Sequence, residues 1–505
     1  MSRRLYIHTV GCQMNVLDSE LVVAELLRAG YELVDNPRQA DAILFNTCSV
    51  RQHAEDKIYS ALGRLKHVKD RQPQKIIGVL GCMAQKDGQK IFRRAPHVDL
   101  VIGPGQLGRL PALLEQIAAG GGPRMAVGLD RTSGVGWPGS SGHRREALVD
   151  EPPESRGSGG SLRSTPATRP GFGDFGICAG SIINHQSSII NHPRRRADAR
   201  PAPHQAMVRI MFGCDKFCTY CVVPAVRGPE QSRPAVEIEA EVRCLAEQGC
   251  LEVTLLGQTV NSYRDQSSSR TLRLADLLYR LHDVAGLRRL KFVTNHPRHM
   301  TRELLGAVRD LPKVSPYLHV PAQSGSNRIL GRMKRGYTDE QYREMLAEIR
   351  STIPAAAVTS DFIVGFPGET DEDYRQTVEL VRIGRFKNCF IFKYSPRPKT
   401  KAAELYEDDV PDGLKRQRNN ELLAIQNAIS LEDNQPFVGR RVEVLVEGPS
   451  KVGRKQALDN DAVQLVGRTV CDQIVVFDGP RSLAGRILPV EVQRADAVTL
   501  FGTLP

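Results

Sequence analysis

Apolar positions along this chain alternate between two rhythms. A short apolar run, RLYIHTV (4–10), gives way to Leu21, Ala24 and Leu27 at helical spacing, with a stop at Gly30. ADAILFNT (40–47), the helical EDKIYSALGRLKHV and the run KIIGVLG (75–81) repeat the scheme. Strand–helix–strand alternation predicts right-handed βαβ units on a mostly parallel sheet. Residues 1–130 therefore read as an N-terminal parallel α/β domain.

From about 131 to 204 the rhythm stops. The segment is rich in Gly, Ser, Pro and Arg, and cannot bury enough apolar surface to offset its ordering entropy. It reads as a low-complexity, disordered insertion, and the duplicated Ser181–His185 and Ser188–His192 are too few for a repeat architecture. From 205 the alternation resumes with AMVRIM, LEVTLLG, RLKFVT, YLHVP, VTSDFIVGF and NCFIFKYS, separated by helical segments such as EIEAEVRCLAEQG and DEDYRQTVELVRIG. Six β/α repeats over 205–434 fit a partial barrel whose active site lies at the strand C-termini. Residues 435–505 then carry RRVEVLVEG, AVQLVGRT, DQIVVFDG and GRILPVEVQRA, short strands with glycine turns and no helices between them. That is the pattern of a small all-β barrel.

Composition narrows the partners. The chain has 505 residues, enough for roughly three domains, and a net charge of +12 that points to a polyanion, nucleic acid foremost. The start MSRRLYIHTV has positive charge but no apolar stretch behind it, and no apolar run approaches a membrane span. A cytoplasmic protein is expected. Eleven cysteines, an odd number in a long chain, argue against a disulfide scaffold and for metal binding or catalysis.

Two groups of cysteines carry the candidate chemistry. Cys12, Cys48 and Cys82 each follow a strand, beside the turn signals GCQMN, NTCSV and GCMAQ. The ends of parallel strands gather along one edge, so three cysteines separated by whole βα units can converge on a metal or cluster. The alternative is three cysteines packed as small hydrophobes. Cys214, Cys218 and Cys221 stand C-x3-C-x2-C in GCDKFCTYC, on the loop after the first barrel strand. Zinc would want a fourth Cys or His there, whereas Cys244 and Cys250 read as packing residues. Three cysteines also exceed the dithiol that disulfide exchange requires.

C-x3-C-x2-C on the first strand–loop of a six-fold β/α domain resembles the radical S-adenosylmethionine (SAM) superfamily. In that family three thiolates hold three irons of a [4Fe–4S] cluster, and the amino and carboxylate groups of SAM take the fourth. A second, N-terminal triad and a C-terminal barrel look like the methylthiotransferases. Within them, VRIMFGCDKFCTYCVVPAVRGPEQSRP, LLGQTVNSY, LHVPAQSGSN, TSDFIVGFPGET and KYSPRPKTKAA closely match the tRNA-2-methylthio-N6-dimethylallyladenosine synthases. EVLVEGPSK, GRTVCDQIVVFDGP and LFG match that family's RNA-binding TRAM module. Thr259 stands where the family usually has Asn, and Asn295 in TNHP where Ser is common.

The resemblance implies two [4Fe–4S] clusters, one on Cys214, Cys218 and Cys221 and one on Cys12, Cys48 and Cys82, each with an open iron. SAM serves as methyl donor and radical source, and the reaction is methylthiolation at C2 of N6-isopentenyladenosine 3′ of the tRNA anticodon. The same chemistry on threonylcarbamoyl-adenosine tRNA or a ribosomal-protein aspartate is the alternative, with a non-catalytic zinc RNA-binding protein more distant. SAM contacts are expected at Gly257, Gln258, Asn261, Ser324 and Gly365, which follow barrel strands. RNA contacts are expected on the small barrel and at Arg227, Arg233 and Lys334 near the mouth. The implied partners are tRNA, an electron donor of flavodoxin or ferredoxin type and a sulfur donor, with the enzyme a monomer away from membranes.

Overall fold

The computed structural model describes residues 3–49, 52–129, 202–267, 269–456 and 462–505; nearly all of the insertion expected at 131–204 lies outside them. Six strands form the N-terminal sheet: β1 (Arg3–Val10), β2 (Tyr31–Leu33), β3 (Ala42–Thr47), β4 (Ile76–Gly81), β5 (Leu100–Ile102) and β6 (Arg124–Ala126). All are parallel, in the order β2-β1-β3-β4-β5-β6. Every residue of β3 and β4 is buried, as near-continuous apolar runs covered on both faces must be. The three-residue strands β2, β5 and β6 escape a periodicity reading because they are too short to show a period. Helix α1 (Gln13–Arg28) leads from β1 to β2 on one side, while the next crossover runs to β3 on the other. That reversal of strand order opens a crevice at the carboxyl ends of β1 and β3.

The second domain has six parallel strands: β7 (Gln205–Arg209), β8 (Glu252–Leu256), β9 (Arg289–Phe292), β10 (Tyr317–His319), β11 (Ala357–Val364) and β12 (Asn388–Lys393). They pair as two three-stranded sheets, β7-β8-β9 and β10-β11-β12. A parallel bridge from Leu290 to Val314 and the Asn295 N–H to His319 carbonyl bond (3.1 Å) join them into one curved wall. Outward residues such as Leu290, Phe292, Leu318 and Phe362 build the main core with the surrounding helices. Helix α2 (Asp412–Asn434) closes over β12, where the Cys389 thiol donates to Gln426 Oε1 (3.1 Å) and Asn419 Nδ2 donates to the Ile391 carbonyl (2.9 Å).

Two other units occupy the inside of this wall. Met207 on β7, Leu256 on β8 and Val293 after β9 point inward and pack with Leu17, Leu21 and Leu107 of the N-terminal domain. At the floor sits the C-terminal barrel, made of β13 (Arg441–Pro449), β14 (Val463–Arg468), β15 (Ile474–Gly479), β16 (Ile487–Ala495) and β17 (Thr499–Thr503). It closes in the order β13-β14-β15-β17-β16, so β17 is a fifth strand beyond the four that alternation reveals. The turn between β14 and β15 carries Asp472, whose carboxylate accepts from Lys291 (2.9 Å) and Arg468 (2.8 Å), and whose carbonyl accepts from Lys387 Nζ. The fold class is therefore the one expected: a parallel α/β domain, a (β/α)6 partial barrel and a small all-β barrel.

Candidate functional site

The first cysteine group gathers at the N-terminal crevice. Cys12 caps α1, Cys48 follows β3 and Cys82 opens helix α3 (Cys82–Asp87) directly after β4. Gly81 makes that abrupt strand-to-helix turn at φ +90°, where a Cβ would lie 2.4 Å from Asn46 Oδ1. Below the crevice a buried amide pair fixes the loops: Asn15 Nδ2 donates to Asn46 Oδ1 (3.0 Å), and Asn46 Nδ2 donates to the Asn15 carbonyl (2.8 Å). The Cys12 thiol donates to Asn15 Oδ1 (3.2 Å). A hydrogen bond from Cys48, aided by the Arg227 guanidinium, draws the Cys12 thiol down to about 6 against the upward push of burial. Burial pushes the Cys82 thiol up, and Arg227 opposes it.

The second group lies on the loop from Gly213 to Cys221. Gly213 has φ +74°, and a Cβ there would stand 1.8 Å from the Pro229 carbonyl oxygen, so only glycine lets the loop begin. Cys214 and Cys218 are buried, and Cys221 is half-buried. The Cys214 thiol lies 3.6 Å from Thr259 Oγ1. Arg335, itself buried, donates Nη1 to the Cys218 sulfur (3.3 Å) and Nη2 to the Pro321 carbonyl (3.2 Å). Burial raises the Cys214 thiol and pushes that of Cys221 to about 12, the neighbouring Cys218 adding to both.

The two groups meet. Cys82 packs against Val222, the residue after Cys221, and Val226 of the helix α4 (Val223–Arg227) that Val222 caps. A segment after β12 ties both loops: the Ala402 N–H donates to the Thr219 carbonyl (2.7 Å), Arg397 Nη1 to the Ser49 carbonyl (2.9 Å) and Lys399 Nζ to the Lys86 carbonyl (2.8 Å). The Arg397 guanidinium, its pKa lowered chiefly by burial, feels the charge of both Cys48 and Cys221. Beneath, Asp18 of α1 is fully buried and accepts from two arginines of the second domain, Arg209 and Arg227 (2.8 Å for Arg227). No three Cys, His, Asp or Glu side chains among the described residues are gathered tightly enough to hold one metal ion. A four-iron cluster binds each thiolate to a different iron and so spreads them wider than a single zinc would. By its chemistry, three thiolates in each group, the donor set is one that iron–sulfur clusters take.

The expected SAM contacts fall at the barrel mouth in varied settings. Gly257 is pressed against Met211, and its carbonyl accepts from Thr294 Oγ1 (2.8 Å). Asn261 spends both ends of its amide on His296, donating to its carbonyl (2.9 Å) and accepting from its N–H (2.8 Å), and borders a cleft of about 390 Å³ with Arg264, Arg273 and His299. Ser324 Oγ accepts from the Ser326 N–H (3.1 Å), and Gly365 donates its N–H to Glu369 Oε1 (2.8 Å). Gln258 differs: its Oε1 is buried without a hydrogen-bond partner among the described residues, as is Asn295 Oδ1 at the next strand end. Orphaned polar atoms here fit a polar ligand. Backbone strain marks the same rim, with φ +48° at Phe217, +68° at Thr294 and +71° at Gln323.

The RNA expectation needs one correction. Arg227 and Arg233 are only 3% and 2% exposed, and their charges are taken by Asp18 and Glu241. They are interior ion pairs, and a local sequence reading could not reveal it because their partners lie on other elements. Lys334 is exposed, at φ +58°. Cys250 is fully buried with its thiol on the Glu252 carbonyl (3.2 Å), and Cys244 sits in its helix beside Gln248.

A cysteine-bearing loop thus stands at the mouth of a (β/α)6 partial barrel, with a small β-barrel beneath. Residues 208–381 match the Radical SAM superfamily, 435–504 the TRAM domain, and 4–103 the uncharacterized protein family UPF0004. The chain is 53% identical over 502 residues to the tRNA-2-methylthio-N(6)-dimethylallyladenosine synthase of Rhodopirellula baltica, covering 99% of this chain and 95% of that protein. It is 41% identical over 499 residues to that of Moorella thermoacetica, covering 98% and 97%. The chain belongs to the tRNA-2-methylthio-N(6)-dimethylallyladenosine synthase family. In fold it is similar to the radical S-adenosylmethionine methyltransferase TsrM of Kitasatospora setae, solved with tryptophan and a SAM analogue (TM-score 0.51, 14% identity, 80% of this chain and 75% of that one).

Proposed function

We propose that this protein methylthiolates C2 of N6-isopentenyladenosine 3′ of the tRNA anticodon, as a radical SAM tRNA methylthiotransferase. The observation that carries the reading is the direct packing of the two cysteine groups, Cys82 on Val222 and Val226. In this reading Cys214, Cys218 and Cys221 hold one [4Fe–4S] cluster and Cys12, Cys48 and Cys82 the other, with Gln258 and the neighbouring strand-end residues Gly257, Asn261, Ser324 and Gly365 around SAM. When bound, the clusters and SAM supply a radical able to take hydrogen from C2 and a site that carries sulfur to it.

The chain's own residues do the rest. Arg335 and Thr259 hold the thiolates of the radical loop, and Arg227 stabilises those of the N-terminal group by charge. The N-terminal domain covers the inner faces of β7–β9 and so excludes water from that side. C2–H is too weakly acidic for acid–base catalysis, so no general base is assigned. We place domain boundaries near 130, 204 and 434, and expect a cytoplasmic monomer that takes electrons from a flavodoxin- or ferredoxin-type donor. Among the described residues no helix is long and apolar enough to cross a membrane.

Nucleoside mass spectrometry on tRNA from a strain lacking this protein tests the reading. N6-isopentenyladenosine should accumulate in place of its 2-methylthio derivative; an unchanged 2-methylthio level would overturn it. Anaerobic reconstitution should yield about eight irons per chain. Stoichiometric zinc without iron would point instead to the non-catalytic alternative.

A further inference from the structure

Two arginines face each other between β8 and the helix Leu274–His282. There the chain makes a short antiparallel ladder in which Arg264 pairs with Arg273 and Asp265 with Leu272. Residues directly opposite in such a ladder project to the same side, with Cβ atoms about 5 Å apart, and like charges there repel. The ladder is fixed in place: Asp265 Oδ2 accepts from the Ala235 N–H (2.7 Å), and the Arg264 N–H donates to Ser232 Oγ (3.0 Å). Both arginines are exposed, and both line the cleft of about 390 Å³. The carboxylates of that cleft do not relieve the repulsion. Asp276 accepts from the Arg273 backbone N–H (2.8 Å) and pairs with Arg270 (2.5 Å). Hydrogen bonds from its own N–H and from Thr301 lower the Glu303 carboxyl, and the Arg273 charge adds to this from beyond ion-pair distance. Among the described residues neither Arg264 nor Arg273 forms an ion pair.

From the cleft a line of cations leads to the cysteine loop. The exposed Arg298 precedes His299 of the cleft and lies against Gly336, where a Cβ would stand 3.1 Å from its Nη1. Lys334, also exposed, follows Met333, whose carbonyl accepts from the Thr219 N–H of the cysteine loop (3.0 Å). On the other side Thr259, two residues before Asn261 of the cleft, lies 3.6 Å from the Cys214 sulfur. His299 is neutral at pH 7, drawn down to about 4 chiefly by burial, and so offers a hydrogen-bonding group without charge. Guanidinium forks match the oxygens of a phosphate, and a row of cations on a fixed rim suits a polyanion. The cleft also falls within the range of about 300–1,000 Å³ that encloses small ligands, so a sugar–phosphate unit can enter it.

We propose that Arg264 and Arg273 together clamp one backbone phosphate of the bound tRNA, and that Arg298 and Lys334 carry the strand from that phosphate to the radical site. The proposal rests on the tRNA substrate proposed above. The phosphate lies between the two guanidinium groups and turns their mutual repulsion into a shared attraction. Phosphate contacts fix the register of a nucleic acid and read no base, so the clamp positions the strand whatever its sequence. All four are binding residues, with no part in radical generation.

The test is equilibrium binding of fluorescent anticodon stem-loops, with and without the dimethylallyl group, to the reconstituted protein at several salt concentrations. SAM affinity and iron content are measured in parallel. The double variant Arg264→Gln, Arg273→Gln should bind both loops about tenfold more weakly at low salt, and the slope of log K against log salt should fall by about one. The double variant Arg264→Lys, Arg273→Lys keeps the charges and should restore the slope. Arg243→Gln, which removes a charge that Glu239 already takes (2.8 Å), should change neither affinity nor slope. Iron content and SAM affinity should not move. An unchanged slope in the Gln variant, a loss confined to SAM, or an equal loss in Arg243→Gln overturns the clamp and leaves the function intact. An unsubstituted protein that binds neither loop overturns the substrate reading, and the clamp falls with it.

Discussion

Cys12 is the exposed member of its group, and its environment singles it out chemically. The Cys48 hydrogen bond and Arg227 charge bring its thiol to about 6, from an ordinary 9.0, while burial raises Cys82 and takes Cys221 to about 12. A lowered thiol pKa means the thiolate forms as pH rises through that value. In iron-free protein, alkylation of Cys12 should therefore be half-maximal near pH 6, with Cys221 unreactive at neutrality, as read by peptide mass spectrometry. A Cys12 midpoint at the ordinary thiol value would remove this account. The cysteines themselves are legible from spacing. Arg335 is not, because it reaches Cys218 across 117 residues. Outer partners of metal ligands typically matter 10- to 100-fold, so Arg335→Met should lose iron to a chelator about tenfold faster, while Arg335→Lys loses less.

At the scale of elements, the segment from Arg397 to Ala402 acts as a strap between the two cysteine loops. Misplacing a reacting group by about an ångström costs on the order of a hundredfold in rate. Arg397→Gln should thus keep forming 5′-deoxyadenosine from SAM while methylthiolated product falls at least about tenfold. Hydrogen exchange at the Ala402 amide should quicken, and retained coupling with slow exchange would count against the strap. The loop after β9 makes a second prediction. Burial, with cationic neighbours such as Lys216 and Arg298, lowers His296 to about 2 and His299 to about 4. Both are neutral in the folded protein at pH 7, whereas the unfolded chain takes up protons near 6.5. The stability this contributes is complete above that pH and is lost as pH falls from 6.5 toward 4. Thermal denaturation temperature should decline over that window, and His299→Gln should flatten the decline.

The whole molecule is held together around Asp18. One buried carboxylate of the N-terminal domain pairs two arginines of the barrel, and removing one partner of such a group strands the others in low dielectric. Asp18→Asn should destabilise the domain junction by about 3–5 kcal/mol, seen as an early transition in denaturant unfolding. A single transition at the original midpoint would show that the apolar contacts of Leu256, Met207 and Val293 suffice. This clamp also explains why Arg227 reads as a surface base in sequence yet lies inside. It follows Cys221 by six residues and stands over Cys12 and Cys82 because the domains dock there.

Alternating apolar runs and helical spacing were enough to determine the three-part architecture, since each period is written within a few neighbouring residues. Cysteine spacing likewise marked both candidate clusters, because Cys12, Cys48 and Cys82 each follow a strand of one parallel sheet and Cys214, Cys218 and Cys221 share one short loop. Tertiary structure alone decided which arginines are buried and which side chains steady the thiols. The pairs Asp18 with Arg227, Arg335 with Cys218 and Arg397 with Ser49 each join separate elements, and a contact between elements depends on docking and register that no local pattern carries.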